Sequence, residues 1–243
     1  MSRRVNIAVA AWSLAGLACF AQSVISARAG LISYLEGRVL LNDRAVRLVP
    51  GRFPQMRTDD VFRCTRGRAE ILLNPGAFLR IRENSAVRLL SNSLTEPRFE
   101  VLSGAVILEV EELGNAMSVT TAWRGVSIST AKKGLFRLDT NPAVLRVYEG
   151  EAVVASEGRS IRVGKGKVLA FGGTWTCAKF DPRQVDSFDQ WSGRRTVLVA
   201  RANLRGWWSA RGLMRRGRYS GLYAASSPSP PDGGIPAGVE GTQ

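Results

Sequence analysis

Histidine is absent from all 243 residues. The commonest general base near neutral pH and the commonest transition-metal ligand are therefore missing, which weighs against acid–base and metal catalysis. Lysine is nearly absent too: only Lys132, Lys133, Lys165, Lys167 and Lys179 occur among 34 basic residues, and arginine supplies the rest. Acidic residues number 20, leaving a formal charge of +14. That excess suits an anionic partner such as nucleic acid, lipid headgroups or an acidic envelope polymer. It is equally what an arginine-leaning composition gives, since most arginines are scattered singly along strand faces.

Long apolar runs are also scarce. The main one, Ile7 to Ala21, follows Arg3 and Arg4 and is interrupted only by Ser13 and Gly16. A positive start, a short apolar centre and small residues after it are the pattern of a secretory signal peptide, residues 1–21, with cleavage expected between Ala21 and Gln22. The run falls short of the roughly 20 residues that span a bilayer comfortably. Cys19 behind Leu17-Ala18 offers a second reading as a lipoprotein acylation site, although Gly16 stands where a large aliphatic residue is expected. An uncleaved anchor is the third. Each places the bulk of the chain outside the cytoplasm, periplasmic or secreted. There, Cys64 and Cys177 would form one disulfide or remain as buried free thiols.

Helical periodicity is missing before Asp181, and a period of two takes its place. In Ala69–Leu90, residues Ala69, Ile71 and Leu73 share one face with Glu70 opposite. After the Asn74-Pro75-Gly76 turn, Leu79 and Ile81 point in and Arg80 and Arg82 out; after Glu83-Asn84-Ser85, Val87 and Leu89 point in and Arg88 out. Strict alternation between turn residues marks half-buried strands. The same pattern recurs from a first hairpin at Leu31–Leu41, turning at Glu36-Gly37, through to Phe171. The segments Leu35-Glu36-Gly37-Arg38-Val39, Leu102-Ser103-Gly104-Ala105-Val106 and Tyr148-Glu149-Gly150-Glu151-Ala152 each set a glycine at a corner, where it supplies a positive φ. Their uneven spacing excludes a regular solenoid repeat. The expected fold is all-β: an irregular β-roll, or a sandwich of short antiparallel strands, over residues 22–180.

Asp181-Pro182 reads as an N-cap and first helical residue, opening a docking helix over 181–205 with Val185, Phe188 and Trp191 toward the β-domain. From Gly206 the chain turns basic and then Pro/Gly/Ser-rich, a composition expected to be disordered over 206–243.

Taken in order, these elements resemble the periplasmic domain of the ferric-citrate regulator (FecR) family over roughly Gly30 to Phe171. The likeness rests on a glycine-led first hairpin and a middle run of short strands around Asn74-Pro75-Gly76. It continues through Gly134-Leu135-Phe136-Arg137-Leu138, the Leu145–Val153 segment and Val163-Gly164-Lys165-Gly166-Lys167-Val168. Asp189-Gln190-Trp191-Ser192 with Arg194-Arg195 resembles the closing helix of stand-alone secreted members. Classical members relay a signal from an outer-membrane transporter to a cytoplasmic sigma factor through an N-terminal cytoplasmic segment. Six residues precede the apolar run here, too few for such a segment. The resemblance therefore implies an extracytoplasmic ligand- or protein-binding module, with no catalytic residues and no cofactor.

Motifs that would say otherwise are weak. Ser129-Thr130-Ala131-Lys132 has the Ser-x-x-Lys spacing of serine acyl-enzymes, but its serine ends a strand where that chemistry needs a helix start. Gly164-Lys165-Gly166-Lys167 lacks the frame of a phosphate loop and reads as a turn. Glu109, Glu111 and Glu112, or Asp59 and Asp60, could hold calcium or act as an acid/base pair; on strands such residues ordinarily form a solvated face. One basic cluster remains, Arg194, Arg195, Arg201, Arg205, Arg211, Arg215, Arg216 and Arg218 around Trp207 and Trp208. It suits an anionic membrane or acidic polysaccharide, or is a solvated linker. Nucleic acid is not expected as a partner of an exported protein. The sequence thus points to a non-enzymatic envelope protein offering strand edges or a sheet face to a protein partner. The alternative is an anionic-surface binder acting through that Arg/Trp segment.

Overall fold

In the computed structural model, the described residues are 29–49, 53–111, 118–130 and 132–204. Residues 1–21, expected to be a signal peptide and including Cys19, and everything after Leu204 lie outside them. The alternation that begins at Val61 produces one long strand, β3 (Val61–Asn74), which β1 (Leu31–Leu41) follows antiparallel along most of its length. A two-residue turn at Asn42 and Asp43, both at positive φ, leads from β1 into β2 (Arg44–Ala45).

Every later strand belongs to a ladder that starts from one half of β3 or the other, with β4 and β5 pairing to β3 itself. Its C-terminal half carries β4 (Ala77–Ile81), then β7 (Ala105–Val110), β10 (Gly134–Thr140), β11 (Ala143–Glu149), β14 (Lys167–Ala170) and β15 (Thr176–Lys179). Its N-terminal half carries β5 (Ser85–Ser91), then β6 (Arg98–Ser103), β8 (Val119–Trp123), β9 (Val126–Thr130), β12 (Glu151–Ser156) and β13 (Arg159–Gly164). One 15-stranded sheet results, folded into two leaves, with β13 of the second leaf returning beside β14 of the first.

The fold is therefore all-β, as the alternation requires. It is a single rolled sheet rather than two separate sheets. Its longest strands are not short, and β6 and β8 run parallel within an otherwise antiparallel ladder.

Glycine explains how one sheet makes two leaves. Gly37 is not a hairpin turn: β1 runs straight through it, and it faces Gly67 of β3 across the ladder. Both residues have φ near +87° (86° and 88°). A Cβ on Gly37 would stand 2.2 Å from the Arg66 carbonyl oxygen, and one on Gly67 2.0 Å from that of Glu36. Only glycine fits two bent backbones crossing so closely. Gly104, between β6 and β7, and Gly150, between β11 and β12, take the same conformation where those strands pass from leaf to leaf. The recurring glycine device is thus a crease rather than a set of turns.

Between the leaves lies one apolar core. Ile71, Leu79, Leu108 and Val147 come from the first leaf, and Phe62, Val101, Ile128 and Val154 from the second, all fully buried or nearly so. Each side chain of this size contributes about 1.5–3 kcal/mol on burial.

The helix starts later than the Asp181-Pro182 signal suggests. Those residues form a turn, with the Gln184 amide donating to the Asp181 carbonyl at 3.1 Å. Helix α1 spans Ser187–Leu204 and is capped by Asp186, whose Oδ1 accepts the amides of Phe188 (2.8 Å) and Asp189 (3.0 Å). Asp189 Oδ2 accepts the Asp186 amide in return at 3.0 Å, a reciprocal capping pair that the proline does not provide. Strand β15 lies beyond Phe171, where the sequence reading ends the sheet. No helix among the described residues is long and apolar enough to cross a membrane.

Candidate interaction surfaces

Helix α1 covers the outer face of the first leaf. Phe188, Trp191, Ser192, Arg195 and Thr196 recur at helical spacing and face the sheet. Phe188 and Trp191 stack at 5.9 Å and pack on Ala105, Ile107, Leu135 and Tyr148.

Charge fills the rest of this interface. Arg80 on β4 lies opposite Glu70 on β3, its Nε donating to Glu70 Oε2 at 3.0 Å. Arg80 Nη1 donates to Glu109 on β7 and to Ser192 Oγ of the helix. Arg195 Nη2 reaches Glu70 Oε1 at 2.6 Å, its guanidinium 4.3 Å from the Tyr34 ring centre, and Thr196 Oγ1 donates to Glu109 at 2.6 Å. Two arginines thus face two glutamates. Burial pushes the Glu70 carboxyl up, but Arg195 and Arg80 outweigh it and hold the group below its ordinary range.

A second centre forms around Arg137 on β10. It donates to both oxygens of Asp139, to Asp189 Oδ2 at 2.7 Å and to Asp186 Oδ2 at 2.9 Å. Arg146 adds a bond to Asp139 at 2.6 Å, Arg82 reaches Asp186 at 3.4 Å, and the Tyr148 hydroxyl donates to Asp189 at 3.2 Å. Three arginines meet three aspartates. Burial raises Asp189 above the usual carboxylate range. The same effect on Asp186 is outweighed by bonds from Arg137 and the Asp189 backbone, and Asp186 lies low. Burial, with the charge of Asp189, pushes the Tyr148 phenol up.

Both centres balance internally, so they lock the helix down and leave no charge for a ligand. This corrects the reading of Arg80 and Glu109 as outward, solvated residues: they are 1% exposed because α1 lies over them. Alternation places them correctly on the outer face and is blind to what covers that face. The helical spacing of Phe188 and Trp191 does dock the helix on the β-domain, but it does not say which sheet face, and so which charged residues, the helix covers.

The other candidates separate as follows. Arg195 is engaged with Glu70 and Tyr34 and is withdrawn from any anionic-surface role, whereas Arg194 and Arg201 are exposed on α1. Arg205, Trp207, Trp208, Arg211, Arg215, Arg216 and Arg218 lie outside the described residues. Cys64 and Cys177 are free thiols, so the disulfide is not formed. Cys64 is sealed in the core, where burial pushes its thiol up to about 11, and Cys177 sits half-buried on β15. Ser129 lies within β9, its Oγ 3.4 Å from that of Thr120, with no helix start to activate it. Asp60 receives Asn42 Nδ2 and the Arg57 amide, both at 2.7 Å, and thereby ties a turn. Beside it an open cleft of about 600 Å³ is lined by Leu41, Arg44, Val46 and Arg57.

The exposed surface of most interest is the last strand. Among the described residues β15 pairs only with β14, and Thr176, Ala178 and Lys179 are exposed. A terminal strand leaves one row of backbone donors and acceptors available for a further strand.

No protein-family profile matches the chain, and no curated protein matches it. Among solved structures it is similar to two crystal structures of a candidate anti-sigma factor from Parabacteroides distasonis, with TM-scores of 0.43 and 0.44 and 11% sequence identity. The matches cover 50% and 54% of this chain and 60% and 62% of those chains, so the chain spans less than two thirds of their length.

Proposed function

We propose that the protein is a non-enzymatic, exported component of the cell envelope whose FecR-like β-domain is a protein-interaction or sensory module. The observation that carries this reading is the exposed terminal strand β15, a sheet edge held in place by a rigid rolled core. A partner strand added there would gain main-chain hydrogen bonds without rearrangement of the domain. The non-enzymatic part draws support from the buried carboxylates. Glu70, Glu109, Asp139, Asp186 and Asp189 are all consumed in ion pairs that fasten α1, and so none is poised as an acid or base.

A photo-crosslinking residue at Ala178 of the full chain, expressed in its native cell, tests the proposal. The expected result is a discrete adduct with one envelope protein, absent when the crosslinker sits at Gly158 in the exposed β12–β13 turn. Identical adducts at both positions, or a chain that fractionates with the cytosol, would overturn it.

A further inference from the structure

We infer that the β15 edge takes an extended, acidic segment of a protein partner, gripped by a rim of lysines; this rests on the interaction reading above. All five lysines of the chain lie at one end of the first leaf. Lys132 and Lys133 precede β10, whose Leu135 pairs with Glu149 of β11. Val147 of β11 pairs with Lys167, and Lys167 with Lys179. Lys165 stands in the turn before β14. Register therefore gathers three distant stretches of sequence across three inter-strand spacings, about 15 Å.

All five are exposed, and among the described residues none takes part in an ion pair. Glu111, next along β7 from the Val110 that pairs with Gly134, and Glu149 and Glu151 are the acids of this neighbourhood, and Glu151 faces Arg162 at 3.6 Å. Lys167 and Lys179 stand directly opposite each other, an unfavourable pairing that an anion between or beside them relieves.

Geometry specifies the occupant further. On a strand added to β15, the residue opposite Lys179 shares its face at cross-strand distance, about 5 Å, so a carboxylate there meets Lys179 directly with Lys167 next in the row. Two residues along, the added side chain faces Cys177, half-buried against the core, and should be apolar. The recognised pattern is an acidic residue and an apolar residue at alternate positions. Lysine suits this task, because its compact charge on a flexible stem follows a carboxylate without demanding fixed bidentate geometry. Protection of an open edge explains Lys179 alone; Lys132, Lys133 and Lys165 lie off the edge strand.

The test titrates the full chain with two synthetic peptides, one alternating glutamate with valine and one alternating glutamine with valine. Affinity and the hydrogen exchange of residues 176–179 are followed. The glutamate peptide is expected to slow exchange in β15 and to bind about tenfold tighter than its counterpart. High salt, or the double substitution Lys167→Gln/Lys179→Gln, should remove that advantage. Equal affinity for both peptides would overturn the acidic inference and leave the open-edge reading standing. Failure of both to protect β15 would overturn the two together. Lysine-dependent binding to phosphatidylglycerol vesicles without peptide binding would overturn the inference in favour of a lipid surface.

Discussion

At the α1 interface, Arg80, Arg137, Arg146 and Arg195 each have a carboxylate within hydrogen-bonding distance; at the end of the same leaf, five lysines have none among the described residues. The two regions divide the basic residues by chemistry. Arginine's planar fork satisfies several acceptors at once, so it can be buried between strands and helix at tolerable desolvation cost. Lysine stays in water, where its charge is free to meet something else. A net charge of +14 says little about partners until this division is made, because some of the cations are already paired within the fold.

The sharpest way to break the contrast is to remove an interior cation. Arg80→Met would leave Glu70 and Glu109 buried without their shared partner, and we expect a loss of about 3–5 kcal/mol in urea unfolding. Arg137→Lys keeps the charge but loses the fork that reaches Asp139, Asp186 and Asp189 together. A loss of about 1–2 kcal/mol is expected, with faster proteolysis of the α1 segment.

Acid should act on the same region. Glu70 and Asp186 lie below their ordinary values, so their stabilisation is complete above the unfolded carboxylate value of about 4 and is lost as pH falls through the lowered ones. Asp189, raised, works in the opposite sense, favouring the folded state as it takes up its proton. Unfolding measured against pH should therefore show a shallower acid limb in Glu70→Gln than in the parent chain; an unchanged limb would remove Glu70 from the account. The smallest effect belongs to the rim. Lys179→Gln should shift stability by less than about 0.5 kcal/mol, toward greater stability because a like-charge pair disappears. A substantial destabilisation there would mean that the rim, too, is structural.

Much of this architecture is legible in the chain. Alternation assigns Ile71, Leu79, Val87 and Leu89 to the core and Arg80 to the opposite face, as found, and Asn74-Pro75-Gly76 turns where expected. What it misreads has physical causes. Gly37 looks like a turn because a bend and a turn ask the same φ of glycine, and only the facing Gly67 distinguishes them. Asp181-Pro182 carries a good helix-start signal, but Asp186 wins because Asp189 returns its hydrogen bond. Strand β15 has little β-forming composition in Thr176–Lys179 and is held by pairing with β14. The lysine rim is invisible in sequence, since it exists only once register brings residues 132, 165 and 179 to a common end.

The glycine crease has a consequence for how the molecule comes apart. Because β1, β3, β6–β7 and β11–β12 each cross from one leaf to the other, neither half owns a complete set of covalently separate segments. Melting one half pulls the backbone out of the other, so the slowest-exchanging amides of both should open together, in a single concerted event.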